Sequence, residues 1–175
     1  MELFLIILRN IAIALAILYA LIVIVSLSFA FSFASILAHH NHDLSVILTN
    51  KRDNLVKLSE LYLKASIKLN KKIIDDLNNF DLKRIEDQDG EDAKNARDEL
   101  TSFYEYLLSI DVSDKKVSSN DDYYKILENI NELEKVYRHH LMMYNADVLG
   151  YNFWINFFPT RYIFKIFRFK RKDNI

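Results

Sequence analysis

The chain contains no cysteine, one proline and two glycines in 175 residues. Lacking cysteine, it has no disulfide framework, no thiolate metal site and no cysteine nucleophile, an absence that leaves the compartment open. So little glycine and proline excludes an architecture of tight hairpins, Rossmann turns or phosphate-cradling loops. Neither sign of charge dominates, with 23 Lys and Arg against 24 Asp and Glu, and 51% of the chain is hydrophobic. The length supports one compact domain and excludes a large multi-domain enzyme. The composition is that of a mostly helical protein.

Charge is missing altogether from Asn10 to Ala38, where Ile11–Ala38 is a run of 28 mostly Ile, Leu, Ala, Val, Phe and Ser residues. At about 1.5 Å per residue this makes roughly 42 Å of helix against a hydrocarbon core of about 30 Å, so tilt or an interfacial end is expected. Ser32-Phe33-Ala34 fits a small-x-small cleavage site. The apolar run, however, far exceeds the roughly 7–15 residues of a signal-peptide core, which favours an uncleaved anchor. Arg9 alone flanks it on the N-terminal side, whereas Lys51, Arg52 and Lys57 follow it. That excess favours a cytoplasmic soluble part and a short N-terminus outside.

Three amphipathic segments follow. Over about Asp43–Phe80, Leu55, Leu58, Tyr62, Ala65, Leu69, Ile73 and Leu77 recur at spacings of three and four, one apolar helical face. The acidic stretch Glu86–Asp92 holds Gly90 and reads as a solvated turn before the next helix. Over about Asp92–Ile110 the stripe is Ala93, Ala96, Leu100, Phe103, Leu107 and Ile110. Residues 111–122 offer loop chemistry and helix N-caps. The last segment has the clearest period, from Ile126 through Ile130, Leu133, Tyr137, His140, Tyr144, Val148, Tyr151 and Ile155 to Phe158, and Pro159 is expected to end it. Gly150 sits inside that helix at a cost of about 1 kcal/mol relative to Ala.

These elements predict an all-α fold in three parts. Residues 1–42 carry a transmembrane helix at about 11–38, residues 43–159 form an antiparallel bundle of three long helices, and residues 160–175 form a short basic C-terminal helix. The anchor is free to run straight into the second segment. Alternating directions would then deliver the tail to the end of the bundle far from the membrane, roughly 50 Å away by helix rise.

Tyr144-Asn145, Val148, Tyr151-Asn152, Ile155 and Phe158-Pro159 follow the spacing YN-x2-V-x2-YN-x2-I-x2-FP. This resembles the C-terminal signature of the LemA family. Lys51-Arg52-Asp53-Asn54-Leu55-Val56 and the following Tyr62 resemble that family's basic pair, Asp and Leu-Val motif, without the proline that members commonly carry between the Asp and the Leu-Val. The likeness takes in the anchor, the first soluble helix and the last, and between about Leu82 and Asp122 consists only in being helical. It implies a bacterial single-pass membrane protein with a short outside N-terminus, from a family whose molecular function is not established, and it brings no catalytic residues.

Physically, Asn145 and Asn152 lie seven residues apart and so recur on one helical face beside the tyrosines, where an amide fixes register at some cost in stability. A buried tyrosine hydroxyl needs a partner. The expected partners are Arg52, Asp53 and Asn54 on the facing helix, and the resulting polar seam of these residues with Tyr144, Asn145, Tyr151 and Asn152 is read first as packing and register, second as a ligand site.

No motif carries catalysis. Asp75-Asp76, Asp121-Asp122 and Glu132 with Glu134 read as a solvated face or helix starts, and neither a nucleophile elbow nor a phosphate loop is present. The histidines fall as His39-His40-x-His42 and His139-His140. Adjacent helical residues point about 100° apart, so His139 and His140 cannot chelate one ion together. No metal or other cofactor is expected.

The tail holds Arg161, Lys165, Arg168, Lys170, Arg171 and Lys172 against Asp173 alone, while residues 43–159 carry 16 basic and 22 acidic residues. On one helix Arg161, Lys165, Arg168 and Lys172 would fall within about 60° of arc, opposite Ile163, Ile166 and Phe167. An anionic membrane surface is the leading partner, ahead of the bundle's own acidic side, another partner, and lastly nucleic acid, which is not expected. The sequence thus predicts a non-enzymatic, membrane-anchored interaction or envelope-organising scaffold, with the lipid bilayer, self-association or a membrane protein as partner. The alternative is a small-ligand or peptide binding module built on the polar seam.

Overall fold

The structure, a computed structural model, describes residues 1–80, 90–110, 117, 120–158 and 160–174, with the backbone alone for 90–93. It is all-α, with no strand among the described residues. The helices are α1 (Glu2–Lys64), α2 (Lys71–Asn78), α3 (Gly90–Leu108), α4 (Asp121–Asn156) and α5 (Arg161–Ile166). Two compact units result: Met1–Leu37 with Ala146–Lys172, and Ala38–Asn145 with Asp173–Ile175.

The apolar run continues without interruption into the first soluble segment, because no glycine or proline stands between residues 2 and 64 to break the helix. Among the described residues α1 alone is long and apolar enough to cross a membrane; its most apolar window has mean hydropathy 2.8 and is 6% buried. Residues 1–21 are exposed throughout, and a buried face begins only with Ile22 and Val23, then Ser26, Ala30 and Leu37.

The expected helix over 43–80 is broken at its centre. Ser66 lies at φ 65°. Its N–H donates to the Leu63 carbonyl, and the Ile67 N–H donates to that of Tyr62, both at 3.0 Å. This is the left-handed closure usually given to glycine. The apolar period survives the break because α2, capped by the Asn70 side chain accepting from the Lys72 N–H at 3.0 Å, returns Ile73 and Leu77 to the same core. Periodicity therefore conceals the turn.

In the unit of residues 38–145, Tyr62 donates to the Leu107 carbonyl at 3.2 Å while Lys51 reaches Thr101 at 3.4 Å, so α1 and α3 run the same way. Glu134 meets both Lys51 and Arg97, and Asn131 meets Tyr104, so α4 opposes both. Strict alternation of three helices is not followed, since α2 intervenes between α1 and α3.

The core here is mostly apolar, and among the described residues it also buries the charged Lys51. Glu134 accepts from Arg97 at 2.9 Å, Lys51 at 3.0 Å and Arg138 at 3.3 Å. The Lys51 side chain is only 4% exposed, and Arg97 also lies over the Tyr137 ring at 5.2 Å. Burial pushes the Glu134 carboxyl up, but the hydrogen bonds from Arg97 and Lys51 outweigh it and hold the group at about 2. Glu134 is thus a cross-helix clamp, not part of a solvated face. Burial, helped by the Glu134 and Asp98 carboxylates, pushes the Tyr137 hydroxyl up to about 12 against the opposing pull of Arg97.

α4 is preceded by Asn120, whose side chain accepts from the Asp122 N–H at 2.9 Å as a cap, with two aspartates in the first turn. Its predicted stripe is buried or half-buried from Ile126 to Ile155. The helix ends at Asn156, leaving Phe158 beyond it and 71% exposed. Pro159, residues 86–89 of the acidic turn, and the loop residues 111–116, 118 and 119 lie outside the described residues.

Candidate functional site

The unit of residues 1–37 and 146–172 joins the apolar helix to the tail. The last turns of α4 lie against α1 through Trp154, stacked on Phe29 with centroids 4.6 Å apart and planes 4° from parallel. One turn away, a Cβ on Gly150 would meet the Phe33 ring at 2.8 Å, so the missing side chain is what admits that ring. The helical cost of Gly150 has a packing cause.

After α4 the chain turns through buried Thr160, whose hydroxyl donates to the Phe157 carbonyl at 3.0 Å, into the six residues of α5. Arg168, at φ 59°, closes α5 as Ser66 closes α1: its N–H donates to the Lys165 carbonyl and the Phe169 N–H to that of Phe164. The reversal buries Phe164 and sets Phe169 edge-on to both Phe164 and Phe31, each at 5.3 Å.

Beyond α5 the chain lies against α4. Tyr151 donates its hydroxyl to the Lys170 carbonyl at 3.1 Å. The Asn152 amide donates to the Lys172 carbonyl at 2.7 Å and accepts from the Lys172 N–H at 3.0 Å. One side-chain amide thereby satisfies both backbone groups of a residue, as a neighbouring strand does.

These contacts redraw the expected seam. Tyr151 and Asn152 hold the tail, not Arg52, Asp53 and Asn54. In the other unit Arg52 pairs with Asp53 at 3.3 Å and Asn54 donates to the Asn50 carbonyl at 2.8 Å; Tyr144 is buried there and Asn145 half-buried. Asp53 and Asn54 line a groove of about 360 Å³ with Asn50, Asn129 and Glu132. The seam residues are therefore divided between two places. The partner of the second Tyr-Asn doublet is tail backbone, which carries no residue-type signal and so escaped sequence reading.

The basic tail is likewise not one helical face. Arg161 and Lys165 are on α5, Arg168 is in its left-handed closure, and Lys172 lies beyond it, bonded to Asn152. Nor is the tail remote from the apolar helix, since both belong to one compact unit. Arg161, Lys165 and Arg171 instead line a pocket of about 220 Å³ with Asn156, floored by Ile155, Phe164 and Phe169. The same unit also exposes Leu149, Phe153, Phe158, Tyr162, Ile166 and Phe167. The arrangement is an aromatic and basic collar on the apolar helix.

A family model described as the LemA family matches residues 41–175. The match takes in the middle of the chain, where the resemblance in the sequence was only helical, and begins after the apolar run. No curated protein and no solved structure matches the chain.

Proposed function

The chain belongs to the LemA family, and we propose that it is a non-enzymatic membrane-anchored scaffold whose C-terminal collar rests on the bilayer that holds its own N-terminal helix. The supporting observation is the packing of residues 146–172 on the α1 face that begins at Ile22, with aromatic side chains left outward. The run Ile11–Ala38, past the flanking Arg9, makes roughly 42 Å of helix at about 1.5 Å per residue, more than one hydrocarbon thickness of about 30 Å. The excess is then accounted for by the collar at the interface, without a strong tilt. Trp154, Tyr162 and the exposed phenylalanines match the aromatic belt found at headgroup depth. The Arg161, Lys165 and Arg171 pocket suits an anionic headgroup, each basic residue contributing about 1 kcal/mol near such a surface, which favours a cytoplasmic bundle and a short outside N-terminus.

Trp154 is the one tryptophan of the chain and serves as a native depth probe. In nanodiscs containing anionic lipid its emission is expected to be blue-shifted and quenched by brominated acyl chains, and Phe153→Asp is expected to reduce the quenching. Water-like, unquenched emission removes this reading. Protease mapping of residues 160–175 in intact cells tests the orientation. The alternative, a small-ligand or peptide module, draws support from the groove at Asp53 and Asn54; its signature is a ligand-induced melting shift abolished by Asn54→Ala with folding intact.

A further inference from the structure

We propose that His40, Asp43 and His140 form a divalent-metal site of the zinc class that joins α1 to α4. His40 and Asp43 are three apart on α1 and so share a face, and His140 comes from the opposing α4. One ligand atom from each lies within 4.8 Å of the other two. Asp43 Oδ2 stands 3.7 Å from His140 Nδ1, beyond hydrogen-bond range, and the His40 and His140 rings lie 6.2 Å apart with planes crossed by 72°. His40 is buried, 7% exposed. His140 Nδ1 is buried and makes no hydrogen bond.

Two imidazole nitrogens and one carboxylate oxygen are a borderline donor set that suits Zn²⁺ and leaves a fourth position open. Ligand bonds of about 2.0–2.2 Å place tetrahedral donors about 3.4 Å apart. With the donors at present within 4.8 Å of one another, binding requires each pair to close by no more than about 1.4 Å. An ion there neutralises Asp43 and satisfies His140 Nδ1 at once. His39, whose Nε2 is also 3.7 Å from Asp43 Oδ2, has a 74% exposed side chain and offers the rival reading, a surface His–Asp pair on α1 alone.

The experiment uses the full chain without an affinity tag, in nanodiscs, stripped with chelator and titrated with Co²⁺ and then Zn²⁺. One saturable Co²⁺ per chain is expected, with the visible absorption of a four-coordinate ion, displaced by Zn²⁺, and a Zn²⁺-dependent rise in melting temperature. Asp43→Asn and His140→Gln are each expected to weaken binding by about tenfold or more at unchanged helicity, and His39→Ala and His42→Ala/His139→Ala to leave it within about twofold. The part-exposed Asp43→Asn keeps the test open should His140→Gln fail to fold. Absence of saturable binding, binding unchanged in Asp43→Asn, or binding lost with His39 while His140→Gln retains it overturns the proposal.

Discussion

Residues 121–145 and 146–156 belong to one helix and one buried stripe, yet their outer faces differ in kind. The first stretch exposes Lys125, Glu128, Glu132, Lys135 and Arg138 beside Tyr124, Val136, Met142 and Met143; the second exposes Leu149 and Phe153 and no charged side chain. A helix apolar on one face belongs on a soluble core, whereas one apolar all round belongs in a core or in lipid. The units also differ in how they are held. Residues 38–145 rely on an apolar core and the Glu134 clamp, while residues 1–37 and 146–172 rely on ring contacts, one absent side chain and backbone hydrogen bonds from Tyr151 and Asn152.

This difference can be broken from either side. Glu134→Ala leaves Lys51 buried without its counter-charge and is expected to cost about 3–5 kcal/mol, measured by chemical denaturation. Protease protection of the tail, which the other unit supplies, is expected to persist at denaturant levels below the transition.

Acid sharpens the contrast. Glu134 sits at about 2 in the folded chain against an ordinary 4.5, so the unfolded chain takes up the proton first as pH falls. Its contribution, on the order of 3 kcal/mol, is present above pH 4.5 and lost as pH falls toward 2. A melting series over that range is expected to be steep for the native chain and flatter for Glu134→Gln.

Asn152→Ala removes both bonds to Lys172 and is expected to loosen the tail by about 1–2 kcal/mol. The readout is faster tryptic cleavage after Lys170 and Arg171, with the melting of the 38–145 bundle unchanged. The smallest effect is a gain: Ser66→Gly relieves a left-handed residue and is expected to stabilise the bundle by about 0.5–1 kcal/mol in thermal melts, with Arg168→Gly acting alike on α5.

The positions that escaped sequence reading share a feature. Ser66 and Arg168 end helices in a conformation that usually marks itself by glycine, in a chain that has almost none. Lys51 read as a flanking charge and Glu134 as a surface carboxylate, since each is ordinary until α1 and α4 bring them to 3.0 Å. Asp43 carried no signal by itself for the same reason. The Tyr-Asn doublet was visible as a motif, but its function of holding the tail backbone was not.

By itself the sequence determined what depends on composition and period: an all-helical chain, an apolar segment long enough for a bilayer, the stripe of α4 and the family to which its closing motif belongs. Those properties are local, set by side-chain type at spacings of three and four. Tertiary structure alone decided the direction of α3, the clamp at Glu134, the meeting of His40, Asp43 and His140, and the contact of the tail with α4. Each depends on residues on different elements, such as Tyr151 and Lys170, 19 positions apart, or Lys51 and Glu134, 83 apart, and helical periodicity says which face is buried but not what it is buried against.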